Sequence, residues 1–106
     1  MLHRLRKFIQ ESYEAQLDGG VGPVRTLHSV VEYQSPEDYP GKLVFRLHAA
    51  TATSEGVLVK PLELLIVLPL EETLVDRAYD VMSQRGMVRT ERSPSDDPVI
   101  SGTWLL

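Results

Sequence analysis

The feature that most constrains this fold is an apolar stretch at residues 57–70, in which 10 of the 14 residues are Val, Leu or Ile. It is shorter than the roughly 20 apolar residues of a membrane-spanning helix, and Pro69 interrupts it. Its β-branched residues and the turn-forming residues 54–56 before it predict a strand over residues 57–68. Because residues 64–68 are apolar on both faces, we expect this part of the strand to be covered on both sides.

Pro61 lies inside this predicted strand, and its backbone nitrogen has no hydrogen to donate to a neighbouring strand. Proline is found in sheets on edge strands or at bulges. The sequence therefore predicts that the strand lies at an edge near Pro61, or carries a bulge there.

Two further strands are predicted over residues 24–33 and 42–53, joined by a loop rich in Pro, Ser, Asp and Gly. We expect an antiparallel hairpin that pairs Tyr33 with Leu43 and Leu27 with Ala49, because this register collects one apolar face. The other face is then mixed in character, and it holds Val30, Glu32, Val44, Arg46, His28 and His48.

Apolar residues at helical spacing predict a helix over residues 2–17 and a second over residues 70–85. Short strands are predicted over residues 87–91 and 99–106, and the sequence leaves open whether these two pair. The expected order is α-β-β-β-α-β-β. At 106 residues the chain fits one α+β domain, residues 1–106, with a mostly antiparallel sheet and both helices on one face.

Composition excludes several classes of function. The chain has no cysteine, which excludes a disulfide framework, a cysteine zinc site and a thiol nucleophile. A net charge of −4 argues against nucleic-acid binding, which needs clustered Lys and Arg. No apolar segment follows Arg4, Arg6 and Lys7, so we expect no signal peptide and a soluble protein without a membrane partner.

No pattern in the chain predicts catalysis. His28 and His48 would be neighbours on the mixed face near Glu32, but an exposed histidine pair without a third ligand is the favoured interpretation over a metal site. Glu71 and Glu72 suit the start of a helix, and Asp96-Asp97 suits a solvated loop. We therefore expect no catalytic, metal-binding or cofactor-binding residue and no enzyme activity. Trp104 is predicted in the core rather than as an anchor for a partner.

The apolar third strand indicates a protein partner, because two helices can cover only one face of a sheet. A second copy of the chain is the favoured partner, since most oligomers of soluble proteins are homo-oligomers. The loop at residues 36–41 would contribute to the contact. The candidate interface residues are Val30, Glu32, Tyr39, Val44, Arg46 and His48.

The stretch from Asp38-Tyr39-Pro40 to Leu68-Pro69 resembles the tail-terminator (minor tail) proteins of long-tailed bacteriophages. An acidic-aromatic-proline start is followed by a strand, a turn, an amphipathic strand that ends in Leu-Pro, and an acidic helix. The N-terminal helix before this stretch, and the closing strand after an Asp-rich loop, are similar too.

This resemblance implies a structural protein without a cofactor, located in the virion or the host cytoplasm. It would form a hexameric ring that caps the tail tube and presents a surface to head-completion proteins. The alternative is a small bacterial α+β adaptor or chaperone-like module that binds one protein and is a dimer. A third alternative is an enzyme whose site the sequence does not reveal.

Overall fold

The computed structural model describes residues 2–19 and 26–106. The described residues form two helices and five strands in the order α-β-β-β-α-β-β, an α+β fold. The elements are α1 (Leu2–Gly19), β1 (Thr26–Gln34), β2 (Lys42–Thr53), β3 (Gly56–Pro69), α2 (Glu72–Gln84), β4 (Val88–Glu91) and β5 (Ile100–Leu105).

The predicted element order is confirmed, and the described ends lie within two residues of the predicted ones. The strand predicted over residues 42–53 coincides with β2. Apolar and polar residues alternate along it, which is the pattern of a strand with one buried face. Residues 20–25 lie outside the described residues; they include the Gly-rich segment that the sequence predicts as a linker between the first helix and β1, and the predicted first two residues of β1, Val24 and Arg25.

All five strands form one antiparallel sheet in the order β3-β2-β1-β5-β4. The first three strands are therefore a meander, and β5 lies between β1 and β4. Strand β4 pairs with β5, a pairing that the sequence alone left undecided. The long strand β3 and the short strand β4 form the two edges of the sheet.

Both helices pack on the same face of the sheet, and their apolar stripes fill the space against alternate strand residues. Burial of these stripes is the main source of stability in a domain of this size. The fully buried contributions from the helices include Leu5, Ile9, Ala78 and Met82. Those from the strands include Val30, Leu43, Phe45, Leu47, Ile66, Leu68 and Trp104.

The predicted register of the β1–β2 hairpin is wrong by one residue. The structure pairs Tyr33 with Val44 and Val30 with Leu47. A shift of one residue moves every β1 side chain to the opposite face of the sheet. Val30 and Glu32 consequently lie under the helices with no exposed surface, and Leu27 is 66% exposed on the other face. The prediction that Val30 and Glu32 lie on an exposed mixed face is wrong.

The prediction for Pro61 is confirmed, because β3 is an edge strand and its pairing with β2 is irregular beside this residue. Arg46 pairs with Leu65 and His48 pairs with Pro61, so residues 62–64 form a bulge opposite Leu47. The Arg46 side chain donates from Nε to the carbonyl of Leu62 in this bulge. The bulge therefore has a hydrogen-bond partner from the neighbouring strand.

Candidate functional site

A buried carboxylate lies at the centre of the helix-covered face. Glu32 has no exposed surface and accepts hydrogen bonds from four neighbouring side chains. Tyr79 donates at 2.6 Å, Trp104 Nε1 at 3.0 Å and Ser101 Oγ at 2.5 Å. Arg89 donates to both carboxylate oxygens, with its Nη2 at 3.1 Å and its Nε at 3.3 Å. These five residues are termed the Glu32 cluster.

The cluster joins three parts of the fold. Glu32 lies on β1, Tyr79 on α2, and the other three residues on β4 and β5. Arg89 reaches the carboxylate by lying across Gly102, where a Cβ atom would be only 2.8 Å from its guanidinium. Gly102 pairs with Glu32 across the β1–β5 ladder, so the absence of a side chain there opens the path.

The hydrogen bonds keep Glu32 charged. Burial by itself would raise the pKa of the carboxyl, but donation from Arg89, Ser101, Tyr79 and Trp104 outweighs it and holds the pKa below its ordinary value. Burial, together with the hydrogen bond to Glu32, raises the pKa of Tyr79 to about 12. Both Glu32 carboxylate oxygens already accept hydrogen bonds from side chains of the protein, so neither has a free lone pair directed at a substrate proton. The Glu32 cluster is therefore suited to holding the fold together rather than to acid–base chemistry.

The two histidines of the metal hypothesis lie on opposite faces of the sheet. His28 lies on the helix-covered face, where its backbone N–H and its ring approach Gln16 Oε1 at 2.6 and 3.2 Å. His48 lies on the other face, with Nε2 2.8 Å from the Tyr33 hydroxyl. Within residues 2–19 and 26–106, no three His, Asp or Glu side chains come together as metal ligands. The predicted proximity of the histidines is wrong because the register is shifted.

A small groove lies where the β1–β2 loop meets the sheet. It encloses about 140 Å³ and is lined by Tyr33, Pro36, Asp38, Tyr39, Val44, Arg46, Pro61 and Leu65. The loop is held by backbone hydrogen bonds, such as that from Lys42 N to the Tyr39 carbonyl, and by the Ser35 hydroxyl, which accepts from Gly41 N. Tyr39 lies on this hydrogen-bonded loop, and its side chain is partly exposed.

The groove carries one charged side chain of each sign. Its lining includes Arg46 and Asp38, and neither forms an ion pair with another described residue. Burial and the nearby Arg46 charge both lower the pKa of His48, which favours a neutral ring at neutral pH. Arg46 Nε is already bonded to the Leu62 carbonyl, but the charges of Arg46 and Asp38 have no ion-pair partner among the described residues.

The sheet face opposite the helices, termed the open face, has no covering element among the described residues. The strand register assigns it only apolar, hydroxyl-bearing and basic residues. It includes Val31, Tyr33, Val44, Arg46, His48, Ala50, Val57, Val59, Leu65, Val67, Val88, Thr103 and Leu105. Although the chain has 15 Asp and Glu residues, the paired positions of the described strands contribute none to this face. Glu63 lies in the unpaired bulge, at the margin of the sheet.

The candidate interface residues thus separate into two groups. Val44, Arg46 and His48 share the open face, and Tyr39 borders it at the groove, whereas Val30 and Glu32 belong to the core. The Glu32 cluster was missed because its members are far apart in sequence. The one local sequence signal for it is Glu32 itself, an acidic residue between Val31 and Tyr33 in a predicted strand.

Neither helix of the described ranges is long and apolar enough to cross a membrane. No protein-family model, curated protein or solved structure matches the chain.

Proposed function

We propose that this chain is a non-enzymatic assembly protein that self-associates through the open face of its sheet. The observation that carries this proposal is that no paired strand position on that face is acidic, in a chain with a net charge of −4. Depletion of charge is the compositional mark of an interface core, whereas solvent-facing sheet surfaces are usually polar.

The size of the open face fits a contact between proteins. Five strands at a spacing of about 4.8 Å, with about 30 Å of strand length, give a footprint of about 700 Å². A stable interface of standard size buries roughly 800 Å² on each partner. Val88 and Leu105 are 61% and 48% exposed there, and both would be removed from water by a partner sheet.

The resemblance to tail-terminator proteins gives this self-association a specific role. In that role the chain forms a ring that caps a phage tail tube and joins it to head-completion proteins. An ordered loop around Tyr39, beside the two charges of the groove, provides a docking point for a second protein surface of complementary charge. Adding the purified chain to polymerising tail-tube protein from the same genome should then stop tube growth, and unchanged tube lengths would contradict this role.

The second candidate is a dimeric adaptor module, which the same open face without acidic residues at its paired positions supports. Two such sheets packed face to face would form a sandwich about 10 Å thick at its core. Genes next to this one separate the two roles: tail and head genes favour the ring, and secretion or regulatory genes favour the adaptor.

The self-association is tested by placing a charge on the open face. We expect Leu105→Glu to lower the mass of the assembly in light scattering, because a buried unpaired carboxylate opposes association. Leu17→Glu is the matched control, since Leu17 is also an exposed apolar residue, but on α1. Equal masses for wild type and Leu105→Glu would contradict the proposal. Arg46→Glu is a less specific test, because Arg46 also holds the β3 bulge.

A further inference from the structure

One stretch of the sheet edge is exposed on both faces of the sheet and along its outer side. Val57, Leu58 and Val59 are 68%, 59% and 61% exposed at the end of the β2–β3 hairpin. Leu58 points to the helix side of the sheet and its two neighbours to the open face, so neither helix reaches this end of the hairpin. Since β3 is an edge strand, one side of its backbone also lacks a strand partner in the described chain.

The rest of the sheet edge carries the devices that normally prevent strand pairing. From Lys60 onwards, β3 has a lysine, a proline without N–H, and the bulge at residues 62–64. The opposite edge, β4, is four residues long and includes Arg89 and Glu91. Charges, prolines, bulges and short strands are the usual protection of sheet edges. Residues 56–59 have none of these, and we term them the unprotected edge.

We propose that the unprotected edge pairs antiparallel with the same edge of a second copy around a two-fold axis at Leu58. This contact rests on the self-association proposed above and adds a specific site to it. It joins two five-stranded sheets into one of ten strands, with all four helices on the same side. The open faces become continuous, and they remain available for a further contact.

A second copy fits this edge better than an unrelated strand because the sequence is self-complementary. In the two-fold register Leu58 meets Leu58 of the second copy, and Val57 meets its Val59. Apolar cross-strand pairs of this kind are favourable. Lys60 then lies opposite Gly56 of the second copy, one residue from its Glu55, so the flanking charges are opposite in sign.

Cysteine cross-linking tests the proposal directly, because the chain has no cysteine of its own. Opposed residues of an antiparallel pair have Cβ atoms about 4.5–5.5 Å apart, within reach of a disulfide after small adjustments or of a short bifunctional maleimide. We expect Leu58→Cys to give a covalent dimer in high yield. Leu17→Cys, on the exposed side of α1, is the control and should remain monomeric under denaturing electrophoresis.

The register is tested by mixing two single variants. Val57→Cys mixed with Val59→Cys should form the mixed covalent dimer in preference to either homodimer. Absence of the Leu58→Cys dimer in samples that are oligomeric by light scattering would overturn the edge pairing and leave the proposed function standing. A monomeric wild type at all concentrations would overturn both. A homodimer of Leu17→Cys in equal yield would show random collision and overturn the edge pairing alone.

A charge at the unprotected edge gives an independent readout. Leu58→Lys extends the lysine protection of β3, and we expect it to remove the two-fold contact and lower the mass of the assembly. Leu17→Lys should leave the mass unchanged. An unchanged mass for Leu58→Lys, alongside dissociation by Leu105→Glu, would assign the association to the open face alone.

Discussion

Glu32 shows how a single residue can be charged, buried and still stabilising. Its carboxylate has partners from α2, β4 and β5, and Arg89 neutralises its charge. No buried side-chain nitrogen or oxygen of the described residues lacks a hydrogen-bond partner. The Glu32 cluster therefore fixes how the β4–β5 hairpin and α2 dock on the meander, beyond what apolar packing specifies.

Gly102→Ala should destabilise the fold by about 1–3 kcal/mol, because the new methyl group displaces Arg89 and leaves the carboxylate with fewer donors. Urea unfolding of the variant measures this free energy. In an Arg89→Leu background, Gly102→Ala should lower the unfolding free energy by much less, since both substitutions disrupt the same Arg89–Glu32 interaction. Additive effects would show that Gly102 has another role.

The Glu32 cluster also predicts a pH dependence. Because the folded-state pKa of Glu32 is lowered, its stabilisation is fully present above the unfolded-state pKa of about 4.3 and is lost as pH falls through the folded-state pKa. Glu32→Gln should lower the unfolding free energy at neutral pH by about 3–5 kcal/mol and flatten its decline in acid. Parallel acid profiles for variant and wild type would contradict this account.

The same residue explains what sequence reasoning could not reach. The register was predicted by collecting apolar residues on one face, which placed Glu32 on the mixed face; its partner Arg89 is 57 residues away in sequence. This choice of register reversed the faces of β1 and brought His28 and His48 together. Arg46 and His48 were assigned to the open face correctly, because β2 alternates without such an exception.

At the scale of elements, the local sequence pattern predicted a strand correctly where a single feature, such as alternation or a proline, was clear. The alternation of β2 and the proline of β3 predicted a strand and an irregular edge, and both are present. Sheet order was beyond the sequence, because the insertion of β5 between β1 and β4 depends on long-range pairing and on the Glu32 cluster. The predicted cover of residues 64–68 is present on the helix side alone, where Ile66 and Leu68 are buried. Leu65 and Val67 are half-buried on the open face, which has no covering element among the described residues.

Helix α1 carries its charges in an unfavourable order. Its first turn has no acidic residue and contains Arg4, which lies at the positive end of the helix dipole. We expect Arg4→Glu to raise the unfolding free energy by about 0.3–1 kcal/mol at low salt, with Arg4→Gln giving a smaller gain. Thermal unfolding at low and high salt measures both. A lower unfolding free energy for Arg4→Glu than for the wild type would contradict this prediction. It would show that Arg4 makes a contact that stabilises the fold by more than its repulsion with the helix dipole destabilises it.

At the scale of the whole molecule, the sheet has one face buried by helices and one face without a covering element in the described chain. The covered face is explained by packing and by the Glu32 cluster. In the proposed function, the open face, with its apolar and uncharged majority and its groove at Tyr39, is covered by another protein surface. The unprotected edge at residues 56–59 extends the same surface, so the two proposals together cover the open face, the groove and the edge.

The most direct measurement is the mass of the wild-type protein in solution by light scattering, over a concentration series at low and high salt. An assembly larger than the 11.9 kDa chain, persisting at high salt, is the predicted result, because apolar contacts are not screened by salt. A mass of six chains would favour the ring, and a mass of two chains would favour the adaptor. A strict monomer at every concentration would contradict the claim that the open face is a self-association surface.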